Sequence, residues 1–347
     1  MLDQAIHLLA YAHGKPAATG RLRLQAEDFC VTEMPLLEPD GEGEHVWLWI
    51  RKRNENTPWV AGQLARFAGV HPRQVSYAGL KDRRAVTEQW FSVQLSGRED
   101  PHWEALNSET LTVLRHARHS RKLRRGALRG NRFSITVREI AADETALEKR
   151  LALIGAEGVP NYFGEQRFGR DAGNLQAAQR LFANPRRRMS RTSRSLALSA
   201  ARSYLFNQLL SYRVNDATWN LPIAGDAMQL SGSHSFFIAE TSDEELMARV
   251  YSKDVHPTGP LHGRGETPVQ GSCRQLEHAV LAGYADWCAG LEVAGLKQDR
   301  RALRLMVQDL GWQMTGRAEL SLEFSLPPGA YATSVLRELM QATTPAG

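Results

Sequence analysis

The sequence predicts an α+β protein in which a helix-rich segment interrupts a strand-rich one, and two observations carry that prediction. Segments toward both ends alternate apolar and polar residues with a period of two, as half-buried strands do. From about Gly158 onward the chain instead carries helix-type spacing joined by polar loops, until alternation returns at Ala302. Strand-rich ends around a helix-rich middle suggest one domain inserted into another, with both ends of the chain building one sheet. At 347 residues there is length for about two domains. We divide them as 1–156 with 304–347 for the sheet domain and 157–303 for the insertion.

Taken in order, Arg21–Leu24 and Glu27–Glu33 alternate as strands, and Asp40–Gly43 is a turn before the β-prone run His45–Arg51. A helix begins after a cap at Asn56 or Thr57, with Pro58 at its start, Val60, Leu64 and Phe67 on one face, and Gly69 at its end. Val75–Ala78 is a short strand; from Thr87 to Leu95 odd-numbered residues share one strand face and even-numbered ones the other. Strands are expected near Thr110–Arg115 and Ser134–Ile140, then a helix capped by Asp143. In the middle, Gly158–Gly169 reads as an aromatic, basic surface loop and His256–Gly263 as a rigid loop. Helices are expected at Asn174–Phe182, Leu196–Val214, after a capping box at Ser242–Glu245, and over Glu277–Val293. Leu303–Val307 and Leu320–Leu326 return to strand, and Ala332–Met340 closes with a helix.

Between two of these strands lies Gly79-Leu80-Lys81-Asp82-Arg83-Arg84, one carboxylate enclosed by three cations. Nearby positive charge favours the ionised acid. Read alone, the stretch is more readily a solvated charged turn than a catalytic loop. Strands on both sides, however, would hold Asp82 on a rigid frame, where a catalytic group belongs.

The net charge of +5 is modest, but it is unevenly spread. Six Arg or Lys and two His occupy Arg115–Arg125 without an acid, and five Arg occupy Arg186–Arg194. Such arginine-rich clusters point to a polyanion, nucleic acid above all, although charge runs are also ordinary solvated loops. The three cysteines, Cys30, Cys273 and Cys288, are too dispersed for a disulfide framework or a zinc site. Residues 1–6 lack the basic start of a secretory signal and no apolar run is long enough to span a membrane, so a cytoplasmic protein without a membrane partner is expected. No Walker A loop, Gly-x-Gly-x-x-Gly, nucleophile elbow or His-Glu-x-x-His is present. His116–His119 is too cationic for a metal and reads as phosphate-facing or solvated; His256 and His262 could approach across their loop, but ordinary polar histidines fit better. A carboxylate chemistry without metal or cofactor remains, among side chains suited to gripping RNA: aromatics that stack on bases and arginines that hold the backbone. Phe29, Asn131, Phe133 and Tyr331 have the types a pocket for an extruded base needs, though each is also an ordinary strand or loop residue.

Five ordered blocks, spread over nearly the whole chain, carry a family resemblance: Glu27-Asp28-Phe29-x-Val31-x-Glu33, Gly79–Gln89, Gly130-Asn131-x-Phe133, Phe163-Gly164-x-Gln166-Arg167-Phe168-Gly169, and Leu326-Pro327-x-Gly329-x-Tyr331-Ala332-Thr333. The chain resembles the tRNA pseudouridine synthase D (TruD) family. The resemblance implies a pseudouridine synthase fold around a mostly antiparallel sheet, interrupted by the family's TRUD insertion. It also implies isomerisation of uridine, at position 13 of tRNA, with Asp82 as catalytic aspartate. Phe29 and Asn131 would contact the flipped uridine, and Phe133 would shape its pocket. Tyr331 stands where the family carries Phe, keeping a stacking face. Arg23 stands where the family carries Lys, keeping the charge but not the geometry. Lys81, Arg83 and Arg84 are read as tuning and phosphate-holding groups. Two other readings use the same residues: a non-catalytic RNA-binding or RNA-remodelling protein, and a base-removing glycosidase.

Overall fold

The computed structural model describes residues 8–316 and 318–345; residues 1–6, read above as lacking a secretory signal, lie outside them. The chain packs into two compact units. One comprises Ala17–Glu148, Val307–Ala332 and Met340–Gly347, and the other Met1–Pro16, Lys149–Met306 and Thr333–Leu339, each as far as the residues are described. Residues 8–16 and 333–339 thus group with the helical segment, not with the strands beside them in sequence.

The chain first lays down strands β1 (Thr19–Arg21), β2 (Phe29–Pro35) and β3 (His45–Arg53), helix α1 (Thr57–Phe67), and strands β4 (Val75–Tyr77), β5 (Val86–Gln94), β6 (Leu111–His119) and β7 (Leu128–Ala141). Helix α2 (Glu144–Glu157) and strand β8 (Val159–Pro160) lead to α3 (Gly173–Ala183), the long α4 (Arg191–Asn215), β9 (Asp226–Leu230), β10 (Phe236–Ala239), α5 (Glu244–Tyr251) and β11 (Val255–Leu261). Then come α6 (Gly271–Ala282), α7 (Ala285–Val293), β12 (Asp299–Ala302) and β13 (Arg304–Leu305). Strands β14 (Gln308–Met314) and β15 (Glu319–Leu326), helix α8 (Ala332–Leu339) and strand β16 (Gln341–Thr343) close the chain.

In the first unit the strands form one sheet, ten-stranded among the described residues, ordered β14-β15-β7-β2-β5-β3-β6, with β4 beside β5 and β1 joining β7 to β16. All its pairings are antiparallel except β2 with β5 and β1 with β16, which is the mostly antiparallel sheet expected. One face of its β3–β5 half buries Leu48, Ile50, Phe91 and Val93 under Val60 and Leu64 of α1. That burial of large aliphatic and aromatic side chains, each worth roughly 1.5–3 kcal/mol, fixes the helix that borders the site. In the helical unit a four-stranded sheet runs β10-β9-β11-β12, and α4, with one buried stripe along its length, is the longest helix.

Several local expectations need correction. The stretch His256–Leu261 is a buried strand rather than a loop, because Pro257 and Pro260 are accommodated where ladder donors are not required. His256 takes a hydrogen bond from the Arg304 guanidinium at 2.9 Å and His262 pairs with Glu292 at 2.9 Å, so the two do not meet. Within Gly158–Gly169, Asn161, Tyr162, Phe163 and Phe168 are buried, so this is core and not a surface loop. The helix expected over Glu277–Val293 is two, broken at Gly283 and Tyr284, and α4 starts five residues before Leu196, inside the second basic cluster. The strand over Arg21–Leu24 stops at Arg21. His119 is buried against Asp40 at 2.9 Å, which removes it from any phosphate-facing role.

Candidate active site

The turn between β4 and β5 is held at nearly every residue. Of the two expected caps, Asn56 stands at the N-cap position of α1, and Thr57 turns its hydroxyl to the loop: Lys81 N donates to Thr57 Oγ1 (3.0 Å), and Thr57 Oγ1 donates to Gln89 Oε1 (3.0 Å). Gln89 Nε2 in turn donates to Gly79 O (3.0 Å), and Asn54 N donates to Ala85 O (3.1 Å). Lys52 Nζ donates to the main-chain oxygen of Asp82 at 2.7 Å. The loop is therefore not a solvated turn. Its geometry is dictated from beneath by α1, β3 and β5.

Above it, Arg23 Nη2 donates to Asp82 Oδ1 at 3.1 Å, with both side chains about four-fifths buried (19% and 18% exposed). Arg23 holds this position with a left-handed backbone (φ 59°), a conformation costing a non-glycine residue about 1–3 kcal/mol, of the kind that collects at functional sites. Its guanidinium lies over the Phe29 ring at 3.9 Å; Phe29 meets Phe133 edge-on at 6.1 Å, and Phe133 stacks on Phe324 at 5.3 Å. Strand register explains this column. Phe29 lies opposite Ile135, Val31 opposite Phe133 and Glu33 opposite Asn131, while Phe324 and Leu326 lie opposite Phe133 and Asn131 from the other side. Directly paired residues share a face. Phe29, Glu33, Asn131 and Phe133 therefore project from one side of the sheet, the side that also carries Thr87 and Lys52. Phe29 and Phe133 are buried, so they form the floor beneath Arg23, while Asn131 and Tyr331 are only half-buried.

Lys81 does not hold phosphate, contrary to expectation. It is buried against Glu33 at 2.6 Å (3% and 1% exposed), and Glu33 also accepts from Trp90 N at 3.3 Å. The cation at the Asp82 carboxylate is Arg23, from 59 residues away in sequence. Arg83 and Arg84 stay exposed, and Arg84 Nη1 donates to Pro345 O at 3.0 Å.

Lys52 is fully buried, and loss of hydration pulls its ammonium down to about 8, against a smaller opposing pull from Asp82. A lysine lowered on folding binds fewer protons folded than unfolded between about pH 8 and its ordinary value, so stability contributed by this group rises with pH across that window. Comparing wild type with Lys52→Met by urea denaturation from pH 7 to 10.5 is expected to show wild type gaining up to about 3 kcal/mol relative to the variant. A difference that does not change with pH would refute the buried ammonium.

Asn131 Oδ1 is buried with no hydrogen-bond partner among the described residues. A buried acceptor left unpaired costs about 1–3 kcal/mol, so it marks a place where a donor from outside the protein would be welcome. Its neighbour Gly130 allows the close approach that sets this geometry: a Cβ there would collide with the Leu326 carbonyl of β15. Gly130→Ala is expected to cost about 1–3 kcal/mol in thermal or urea unfolding and to lower turnover by more than the lost stability explains, because Asn131 moves with β7. Unchanged stability would show that the strands yield freely.

The basic cluster Arg115–Arg125 divides in two. Arg115 pairs with Glu38 and Arg118 with Asp100, whereas Arg121, Lys122, Arg124 and Arg125 are exposed and carry no ion pair with a carboxylate among the described residues. In the helical unit Arg186, Arg187, Arg188 and Arg191 are likewise exposed.

The family model for tRNA pseudouridine synthase D (TruD) matches residues 5–182 and 173–339. The chain is 53% identical over 333 residues to the tRNA pseudouridine synthase D of Methylococcus capsulatus, covering 96% of this chain and 94% of the relative. It is also 53% identical over 342 residues to that of Nitrosococcus oceani, covering 98% and 96%. The chain belongs to the TruD family. A solved TruD structure from Methanosarcina mazei, 24% identical, superimposes with a TM-score of 0.73 over 98% of this chain and 97% of that one, so the TruD fold is shared. Reading this TruD chain from sequence alone missed Lys52, Glu33 and Thr57 as supports of the loop. Two of them left a signal. Lys52 continues the inward series Val46, Leu48, Ile50, and Glu33 continues Phe29, Val31; a charge at an inward strand position asks for a buried partner.

Proposed function

We propose that this protein is a tRNA pseudouridine synthase that isomerises uridine at position 13, with Asp82 as the catalytic carboxylate. The observation carrying this reading is the Arg23–Asp82 pair, set over the Phe29–Phe133 floor on one sheet face in a TruD-family chain. The unit holding that sheet acts as the catalytic domain, and the helical unit as the TRUD insertion that adds RNA grip through its exposed arginines.

The reaction breaks the bond from uracil N1 to ribose C1′ and forms one from uracil C5 to C1′. C5 gives up its proton and N1 gains one, so atoms balance without oxidant, reductant or water. Asp82 has one oxygen held by Arg23 and offers the other to the substrate. That carboxylate is placed to add to C1′, to add to the base, or to take the C2′ proton and leave a glycal, each a recognised use of a positioned carboxylate. Arg23 orients it. Asn131 Oδ1 accepts from the uracil N3–H, and Tyr331 supplies a ring face for the extruded base. Phe29 and Phe133 keep the floor dry and hold Arg23 level.

Incubating the pure protein with a tRNA transcript tests this. The expected product has unchanged mass and one pseudouridine, at position 13. Free uracil would instead indicate a glycosidase, and unmodified RNA with altered folding a remodelling protein.

A further inference from the structure

A second cavity, of about 560 Å3, opens beside the catalytic loop between α1, β4 and the basic loop 121–125. Ala61 and Gly62 of α1 and Tyr77 of β4 line it, together with the exposed Lys122, Arg124 and Arg125. No carboxylate lines it. That distinguishes it from the cavity of about 370 Å3 on the sheet's opposite face, where Arg51 and Arg53 are already paired with Glu88 and Glu27 and Glu109 adds a further negative charge. The Arg125 guanidinium lies 5.0 Å over the Tyr77 ring and donates to Tyr77 Oη at 3.3 Å, giving a stacked, cationic platform.

We propose that this cavity binds an unpaired nucleotide of the RNA substrate, one near the target in sequence, with its base on the Arg125–Tyr77 platform and its phosphate at Lys122 and Arg124. The inference rests on the proposed RNA-modifying function and adds a second base site to it. A volume of this size suits one nucleotide, and flat guanidinium and aromatic faces take bases with little sequence preference. The location fits as well. Tyr77 is five residues before Asp82, so their Cα atoms are at most about 18 Å apart. The basic loop is tied to the same segment by Gly126 N donating to Ala78 O at 2.8 Å, so the cavity and the catalytic loop share one support.

Gly62 allows a test that does not endanger the fold. A Cβ there meets nothing within 4 Å, and replacing a helix-interior glycine favours the helix, so Gly62→Leu fills the cavity without destabilising the protein. Tight binding of unmodified tRNA is measured for wild type, Gly62→Leu and the surface change Arg125→Gln, alongside melting temperature and pseudouridine yield at saturating RNA. The expected result is a Kd raised about 5- to 100-fold in both variants, as loss of one stacked base predicts, with melting temperature not lowered and turnover at saturation within about twofold. Wild-type affinity in Gly62→Leu overturns the proposal. So does weaker binding confined to Arg125→Gln, which would make this a phosphate contact without a base site. If wild type binds tRNA but forms no pseudouridine, the function reading fails, and the affinities of the two variants still decide the cavity.

Discussion

Asp82→Asn is expected to lower the rate of pseudouridine formation by at least about 10³-fold, with melting temperature and tRNA affinity close to wild type. The carboxamide keeps an oxygen for the Arg23 guanidinium, and Lys52 grips the backbone oxygen rather than the side chain, so the loop keeps its shape. What is lost is the negative charge and the ability to add to an electrophilic carbon or take a proton, contributions typically worth 10² to 10⁴ or more in rate. Single-turnover kinetics on a tRNA transcript, with binding and melting curves on the same preparation, check all three expectations. A near-wild-type rate would remove Asp82 from the chemistry.

Glu33→Ala is expected to have the largest effect on stability, about 3–5 kcal/mol in urea denaturation, because it strands the buried Lys81 ammonium without a partner. It also releases the Trp90 amide and frees the residue next to Asp82, so turnover falls as well. The double variant Glu33→Leu with Lys81→Met removes both charges and is expected to recover most of the stability, since an apolar pair of similar size often replaces a buried ion pair at little cost. Loss of less than about 1 kcal/mol in the single variant would mean that Lys81 finds water, and that the pair does not hold the loop.

Local pattern made much of the frame legible. Alternation located β2, β5 and β15, β-prone composition located β3, and Pro58 and Gly69 bracketed α1, because these elements follow their own local chemistry. Where reading failed, tertiary context had overridden local chemistry. Val255–Leu261 is rich in proline and glycine yet is a strand, because its neighbours β9 and β12 supply the pairing. Tyr162 and Phe163 sit in a polar, glycine-rich stretch yet are core. In the site, Asp82 stood out as the lone carboxylate of a cationic turn, which by itself reads more readily as a solvated loop. Its cationic partner did not stand out in the same way: Lys81, Arg83 and Arg84 are adjacent in sequence, but the guanidinium at the carboxylate is Arg23, brought there by a left-handed backbone just beyond a strand end. Long-range pairings of this kind leave no periodic trace, and the inward-facing Lys52 and Glu33 were the signs that a charged network lay beneath the loop.

Release of tritium from tRNA transcribed with uridine labelled at C5 tests the account most directly, because the C5 hydrogen leaves only when that carbon takes over the bond to ribose. Wild type is expected to release one equivalent per tRNA carrying uridine at position 13, and none from a transcript with cytidine there, while Asp82→Asn releases none from either on the same time scale. Release by Asp82→Asn at the wild-type rate, or equal release from both transcripts by wild type, would contradict it.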